Sequence, residues 1–168
     1  TYYIIESGAA EVWRAPPGER ARRVGALGPG QAFGEEALLT DQPRAATVVM
    51  TLPGRVWTLD RGDFDQLVRP PLLHEIDPAQ ALSRVEAGAR WLDCRWDIER
   101  RDGGMPGAAL VPLPDLRARM SELDRDATWI CYCSNGRRGS CAAFLLRQSG
   151  FDALSLAGGL REWPFAVG

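Results

Sequence analysis

The sequence contains no lysine: all 20 of its strongly basic residues are arginine. Without a lysine amine, the chain has no side chain for Schiff-base chemistry and lacks the lysine of a P-loop phosphate site. It has a single histidine, His74, and four cysteines, none of them in a C-x-x-C pair. We therefore expect no zinc site and no other metal centre.

Long hydrophobic runs and an excess of one charge are also missing. No apolar run approaches the roughly 20 residues that cross a bilayer, no signal peptide is visible, and the net charge is −2. These features argue against a general binder of nucleic acid or of membrane surfaces. The content of 45% hydrophobic and 25% charged residues is that of a soluble globular protein of one or two domains. We expect a cytoplasmic protein with free thiols.

The first half of the sequence has the pattern of β structure. Short runs of β-branched and aromatic residues are separated by turn signals at Ser7–Gly8 and at Pro16–Gly18. Pro53–Gly54 predicts a hairpin between the strand-like segments 47–50 and 55–59.

The pattern changes near residues 69–77. Asp60 is placed to cap a short helix that runs through Val68 and that Pro70–Pro71 would end. From Asp77–Pro78, which marks a helix start, helical and strand-like segments alternate, and this predicts a mainly parallel sheet flanked by helices. Strands are expected at 91–94, 128–132 and 153–156, and later helices at 114–120 and 138–148. We assign residues 1–70 to one domain, 77–168 to a second, and 70–77 to a linker.

One cysteine stands out because of the residues that follow it. A strand-like run ends at Cys133, and a short polar loop leads from there into the next helical pattern. A sulfur between a strand end and a helix start lies among backbone N–H groups and guanidinium charge, which stabilise a thiolate and attract a small anion. The alternative is an inert buried cysteine. We expect Cys94, Cys131 and Cys141 to be core residues.

Four motifs of the second half occur in the order in which one known family has them. They are Leu92-Asp93-Cys94-Arg95, Met105-Pro106-Gly107-Ala108, the loop Cys133 to Arg138, and Leu156 to Trp163 with its paired glycines. Residues 77–165 therefore resemble a rhodanese domain. The loop is C-x4-R, one residue shorter than the C-x5-R of cysteine-dependent phosphatases, and this favours sulfur over phosphate.

The resemblance implies an α/β fold and sulfur transfer without a required cofactor. Cys133 would be the nucleophile that becomes a persulfide, with Arg138 as a second catalytic residue. The substrate-binding residues would be Ser134, Asn135, Gly136, Arg137 and Arg138. The implied donor is thiosulfate or a similar compound, and the acceptor is a thiol or cyanide. Asp93 and Arg95 are open to two interpretations, a structural ion pair or part of the site wall.

A different family is indicated in the first half. The segments Gly30 to Leu39 and Pro43 to Thr47 resemble the phosphate-binding cassette of cyclic-nucleotide-binding domains. The resemblance implies that Glu35 accepts from the ribose hydroxyl and that Arg44 pairs with the cyclic phosphate, helped by backbone N–H groups of Gly34, Glu36 and Ala45. Because Ala45 follows the arginine where a threonine would favour cGMP, cyclic AMP is the expected ligand. The alternative is a surface loop with ordinary solvated charges.

The sequence thus predicts two modules. The first is an all-β, jelly-roll-like β-roll, incomplete in this chain because the resemblance covers only the latter part of such a domain. The second is a rhodanese fold. The predicted function is sulfur transfer through Cys133 with a cyclic nucleotide as candidate regulator. The alternative is a nucleotide-binding regulatory protein whose rhodanese half is a non-catalytic docking or redox-sensing module. A homodimer is left open.

Overall fold

A computed structural model of the chain describes residues 1–15 and 20–165. The turn predicted at Pro16–Gly18 lies outside the described residues. The chain divides into two compact units, Thr1–Arg69 and Pro70–Gly168.

Antiparallel sheets make up most of the first unit. Its described strands are β1 (Tyr2–Ile5), β2 (Ala9–Arg14), β3 (Arg22–Leu27), β4 (Ala32–Phe33), β5 (Thr47–Leu52) and β6 (Val56–Leu59), with helix α1 (Glu35–Thr40) between β4 and β5. One sheet has the order β4-β1-β6 and the other the order β3-β2-β5. Ile5, Ala10 and Leu27 form a buried cluster, and the ring of Tyr2 packs on that of Phe64 with centroids 5.0 Å apart. The predicted all-β fold of this unit is confirmed.

The hairpin predicted at Pro53–Gly54 is wrong. Strand β5 pairs with β2 and strand β6 pairs with β1, so the chain passes from one sheet to the other at this point. The crossing lies against the Ser7–Gly8 turn: the Ser7 N–H donates to the Arg55 carbonyl at 3.2 Å, and a side chain on Gly54 would overlap the Ser7 backbone. The Pro–Gly pair marks the break between β5 and β6, but the two strands pair in different sheets.

The helix predicted after Asp60 begins as expected and ends later. The Asp60 carboxylate accepts from the Asp63 N–H at 2.9 Å. The chain then forms α2 (Arg61–Asp63), a π-helical segment (Phe64–Val68) and α3 (Arg69–Leu72), so Pro70–Pro71 do not end it. Proline has no N–H to donate to the preceding turn, and the two prolines lie within the last four residues of this helical stretch.

A parallel sheet forms the centre of the second unit. Its strands are β7 (Glu75–Ile76), β8 (Arg90–Asp93), β9 (Ala109–Leu110), β10 (Trp129–Tyr132) and β11 (Ala153–Leu156), and its α-helices are α4 (Pro78–Glu86), α5 (Leu116–Arg119) and α6 (Arg137–Gln148). The order is β7-β11-β10-β8-β9, and every pair is parallel. The predicted α/β fold is confirmed. The predicted linker, residues 70–77, contains the end of α3 and the edge strand β7.

Local sequence explains the elements that hold the site. Asp77 and Gln80 form a capping box at the start of α4, confirming the predicted helix start. All four residues of β10 are buried, as expected for a central strand that is covered on both faces. Helix α6 packs closely on this strand because Gly139 has no side chain, and a Cβ there would lie 2.9 Å from the Cys131 carbonyl. No helix among the described residues is long and apolar enough to cross a bilayer.

Candidate functional site

Cys133 follows the central strand β10 directly, at the edge of the sheet where parallel strands end. The residue has no exposed surface. The Leu160 N–H donates to the Cys133 carbonyl at 2.9 Å, and the Arg161 N–H donates to the Ser134 carbonyl at 2.9 Å. The segment that begins with Gly159 therefore holds the backbone of the cysteine loop in place.

The loop turns sharply from the strand into α6. Gly136 has a φ of 84°, a left-handed conformation that favours glycine, and α6 begins at the next residue. The Asn135 side-chain oxygen accepts from the Arg137 N–H at 3.3 Å and from the Cys133 thiol at 3.7 Å. Because the Arg137 N–H can only donate a hydrogen bond, the Asn135 side-chain atom that it contacts is the oxygen, and this same oxygen accepts from the Cys133 thiol.

The Arg138 side chain is held by an acidic residue that the sequence analysis missed. Two Arg138 nitrogens lie 2.6 and 2.7 Å from the two carboxylate oxygens of Glu99. Glu99 also accepts from the Ser134 hydroxyl at 2.9 Å. Chiefly because of Arg138, the pKa of Glu99 falls to about 2. Hydrogen bonds to Glu99 and, more weakly, to the Cys133 side chain raise the pKa of Arg138. Glu99 lies 39 residues before Arg138 in the sequence, and no sequence motif links the two positions.

The predicted substrate-binding residues follow Cys133 in one continuous segment, of which the first three lie in the loop and Arg137 and Arg138 lie in the first turn of α6. Ser134 and Arg138 are half-buried, Gly136 is buried, and Asn135 and Arg137 are exposed. The remaining cysteines, Cys94, Cys131 and Cys141, are buried as predicted, and all four thiols are free. Burial and the neighbouring thiol of Cys131 raise the pKa of Cys94 well above its usual range.

A buried ion pair lies next to Tyr132, the residue before Cys133. The Asp93 carboxylate has no exposed surface and Arg95 is 4% exposed. Arg95 Nη2 donates to Asp93 Oδ2 at 2.7 Å and to the Gly103 carbonyl at 2.7 Å, and the Tyr132 hydroxyl donates to the same carboxylate at 2.9 Å. The two interpretations that the sequence left open therefore hold together: Asp93 and Arg95 form an ion pair, and Arg95 also lines the cleft beside the loop.

A cleft of about 460 Å³ opens beside the loop, which contributes Ser134 to its lining. Its apolar lining includes Leu160, Trp163 and Phe165, and its charged lining includes Glu99, Asp102 and Arg161. Sequence reasoning did not predict this cleft, because its walls come from three separate segments.

The residues predicted to bind a cyclic nucleotide lie at the start of α1 and in the segment that follows it. Gly34 has a φ of 95° and precedes Glu35, whose side chain is 4% exposed. Arg44 Nη1 donates to the Gly34 carbonyl at 2.6 Å and Nη2 to the Thr1 carbonyl at 2.5 Å. The Glu36 side chain forms an ion pair with Arg14 at 3.5 Å and Ala45 is exposed, while the prediction for these two residues concerns their backbone N–H groups. The sequence carried no sign that backbone carbonyls hold Arg44.

Among residues 1–15 and 20–165, no group of three or more His, Cys, Asp or Glu side chains is arranged to hold a metal ion.

Residues 1–70 match the family of cyclic nucleotide-binding domains, and residues 77–165 match the family of rhodanese-like domains.

Individual proteins with similar sequences or structures agree with these matches. A cAMP-dependent protein kinase regulatory subunit from Yarrowia lipolytica is 45% identical over 67 residues, which are 40% of this chain and 16% of that protein. The chain spans less than a fifth of the length of the curated relatives it matches. A rhodanese-related protein from Thermoplasma volcanium superimposes with a TM-score of 0.54 at 26% identity, covering 56% of this chain and 97% of that one.

The structure of reduced CoADR-RHD from Bacillus anthracis superimposes with a TM-score of 0.53 at 27% identity, covering 55% of this chain and 17% of that one. Both resemblances inferred from sequence motifs are confirmed. The chain belongs to the rhodanese-like domain family and carries a cyclic nucleotide-binding domain before its rhodanese-like domain.

Proposed function

We propose that the protein transfers a sulfane sulfur through a persulfide on Cys133. The observation that carries the proposal is the position of this thiol between β10 and α6, at the start of the segment that leads to Arg138 in the first turn of α6. A sulfur among backbone N–H groups and a guanidinium is suited to carry negative charge and to act as a nucleophile. The match to the rhodanese-like domain family supports the same chemistry.

The reaction has two steps, and neither step requires an added oxidant or reductant. The Cys133 thiolate attacks the outer sulfur of thiosulfate, the sulfur–sulfur bond of the donor breaks, and sulfite leaves with the electron pair. An acceptor thiolate or cyanide then attacks the terminal sulfur of the persulfide. The persulfide bond breaks, its electron pair returns to Cys133, and the product is an organic persulfide or thiocyanate.

The loop residues have distinct roles in this proposal. Backbone N–H groups from Ser134 to Arg138 surround the terminal sulfur, and Arg138 stabilises its charge. Glu99 keeps the guanidinium in place through the two short contacts described above. Cys133 is fully buried and Asn135 is exposed, so the donor reaches the sulfur after the Asn135 side chain turns away.

Mass spectrometry after incubation with thiosulfate tests this function. The peptide that contains Cys133 should gain one sulfur atom, and the Cys133→Ser variant should gain none. Cys141→Ser is the matched control, because Cys141 is equally buried but lies within α6, and it should take up sulfur as the unmodified protein does. Absence of the adduct from the unmodified protein would contradict the proposal.

The first unit supports a second candidate function, binding of cyclic AMP as a regulatory ligand. The Glu35 carboxylate is buried in a segment that also holds Arg44, and 67 residues are 45% identical to a cAMP-dependent protein kinase regulatory subunit. We assign Glu35 to the ribose hydroxyl and Arg44 to the cyclic phosphate, with N–H groups of Gly34, Glu36 and Ala45. Arg44 would exchange its carbonyl partners for the phosphate.

Calorimetric titration of the full chain with cyclic AMP tests this assignment. We expect binding heat from the unmodified protein and its loss in Arg44→Ala, since a guanidinium–phosphate pair is removed. Arg23→Ala is the matched control, because Arg23 is an exposed arginine of the same unit that pairs with Glu11. Equal, negligible heats from all three proteins would reject the assignment. Binding heat without a sulfur adduct would favour a regulatory protein with a non-catalytic rhodanese half.

The four free thiols also support our proposal of a reducing compartment, the cytoplasm.

A further inference from the structure

The cleft beside the cysteine loop is larger than a small inorganic ion requires. Its volume of about 460 Å³ lies in the range of about 300–1,000 Å³ that is usual for organic ligands. Leu160, Trp163 and Phe165 give it apolar surface that neither thiosulfate nor cyanide would use. The cleft is therefore suited to an organic molecule that approaches the loop at Ser134.

The charges available in this cleft are not those of the loop itself. Arg138 is held by both oxygens of Glu99, and Arg95 is held by Asp93. In each of these pairs the positive and negative charges cancel, so neither pair offers a net charge to a ligand. Within residues 1–15 and 20–165, the side chains of Arg161 and Asp102 form no ion pair, and both residues are exposed and line the cleft. The cleft thus presents one positive and one negative group to a ligand.

Arg161 is placed beside the reacting sulfur by its own backbone. Its N–H donates to the Ser134 carbonyl at 2.9 Å, the residue directly after Cys133. A ligand group bound by the Arg161 guanidinium is consequently close to the start of the loop.

We propose that this cleft is the acceptor site for sulfur transfer and takes a low-molecular-weight thiol with both a carboxylate and an ammonium group. Arg161 binds the carboxylate and Asp102 binds the ammonium, while the carbon chain lies on the apolar lining. The inference rests on the proposed function, because it assigns the acceptor of the second step. The acceptor thiolate attacks the terminal sulfur of the Cys133 persulfide, the persulfide bond breaks, and the electron pair stays on Cys133 while the acceptor leaves as a persulfide.

Four thiol acceptors distinguish the contribution of the ammonium from that of the carboxylate. Cysteine has both groups, N-acetylcysteine lacks the ammonium, cysteamine lacks the carboxylate, and 2-mercaptoethanol lacks both. Rates are measured with thiosulfate as donor and compared between variants for the same acceptor, because the thiols differ in intrinsic reactivity. The Arg161→Gln variant keeps the backbone N–H that supports the loop. It should lower kcat/KM about tenfold for cysteine and N-acetylcysteine, relative to its effect on cysteamine, through loss of a charge-assisted hydrogen bond.

Asp102→Asn should show the opposite pattern, an about tenfold loss for cysteine and cysteamine relative to N-acetylcysteine. Arg84→Gln, an exposed arginine on α4, is the matched control and should alter no rate. A uniform change across all four acceptors, or no change, in Arg161→Gln and Asp102→Asn would overturn the acceptor assignment alone. Failure of the unmodified protein to take up sulfur from thiosulfate would overturn the proposed function instead.

Discussion

Replacing Gly159 with alanine should lower kcat/KM for sulfur transfer about a hundredfold or more. Gly159 has a φ of 62°, and a Cβ there would lie 2.5 Å from the Gly136 nitrogen and closer still to the Cys133 carbonyl oxygen. Both neighbours are backbone atoms of the cysteine loop, so rotation of a side chain cannot relieve the overlap. The loop must shift, and a displacement of about 1 Å in a reacting group costs about a hundredfold in rate.

Gly150→Ala is the control that separates this clash from backbone strain. Gly150 also has a left-handed φ, 85°, but no heavy atom lies within 4 Å of a Cβ built there. Both variants carry a comparable penalty for a side chain at positive φ, and only Gly159→Ala displaces the loop. Steady-state rates with thiosulfate, together with circular dichroism to confirm folding, give the comparison. Equal rates in the two variants would show that the loop tolerates the added methyl group.

The sequence predicted the second unit well because its signals are local. The apolar run of β10, the Asp77–Pro78 helix start and the glycine after Gln148 each act within a few residues, so their interpretation does not depend on the rest of the fold. The loop after Cys133 was identifiable for the same reason. The edge strands β7 and β9 were not predicted, since two residues each are too few to show a periodic pattern.

The interactions that the sequence did not reveal join residues far apart in the chain. Glu99 meets Arg138 because the 3₁₀-helical segment Asp97–Asp102, which follows β8, lies beside the loop after β10, and adjacent parallel strands place their ends together. The hairpin prediction at Pro53–Gly54 was wrong for the same reason: the break between two strands was located correctly, but the pairing of those strands depends on the whole unit. Arg161 lies in a recognisable motif, yet only its hydrogen bond to Ser134 relates it to the sulfur.

Replacing Asp93 with alanine should lower the free energy of unfolding of the second unit by about 3–5 kcal/mol, the usual cost of leaving one member of a buried ion pair without its partner. Arg95 is 4% exposed, and Asp93 accepts from its Nε at 2.9 Å and its Nη2 at 2.7 Å. These hydrogen bonds are the largest cause of the raised pKa of Arg95. A guanidinium is not deprotonated in proteins, so the variant leaves a charge that is only 4% exposed without its carboxylate partner.

Tyr132→Phe isolates the part of this effect that comes from hydrogen bonding. The variant loses the hydroxyl that donates to Asp93 at 2.9 Å and accepts from the Met105 N–H at 3.1 Å, but it leaves the ion pair intact. Its cost should be about 1–2 kcal/mol, from two lost hydrogen bonds with little change in volume. Urea titration followed by near-ultraviolet circular dichroism measures both variants. If Asp93→Ala costs no more than Tyr132→Phe, the charge of Arg95 finds a new partner or solvent when Asp93 is lost. If the expected difference appears, the sheet edge that carries Cys133 depends on this ion pair, because Asp93 ends β8 and pairs in register with Tyr132, the residue before Cys133.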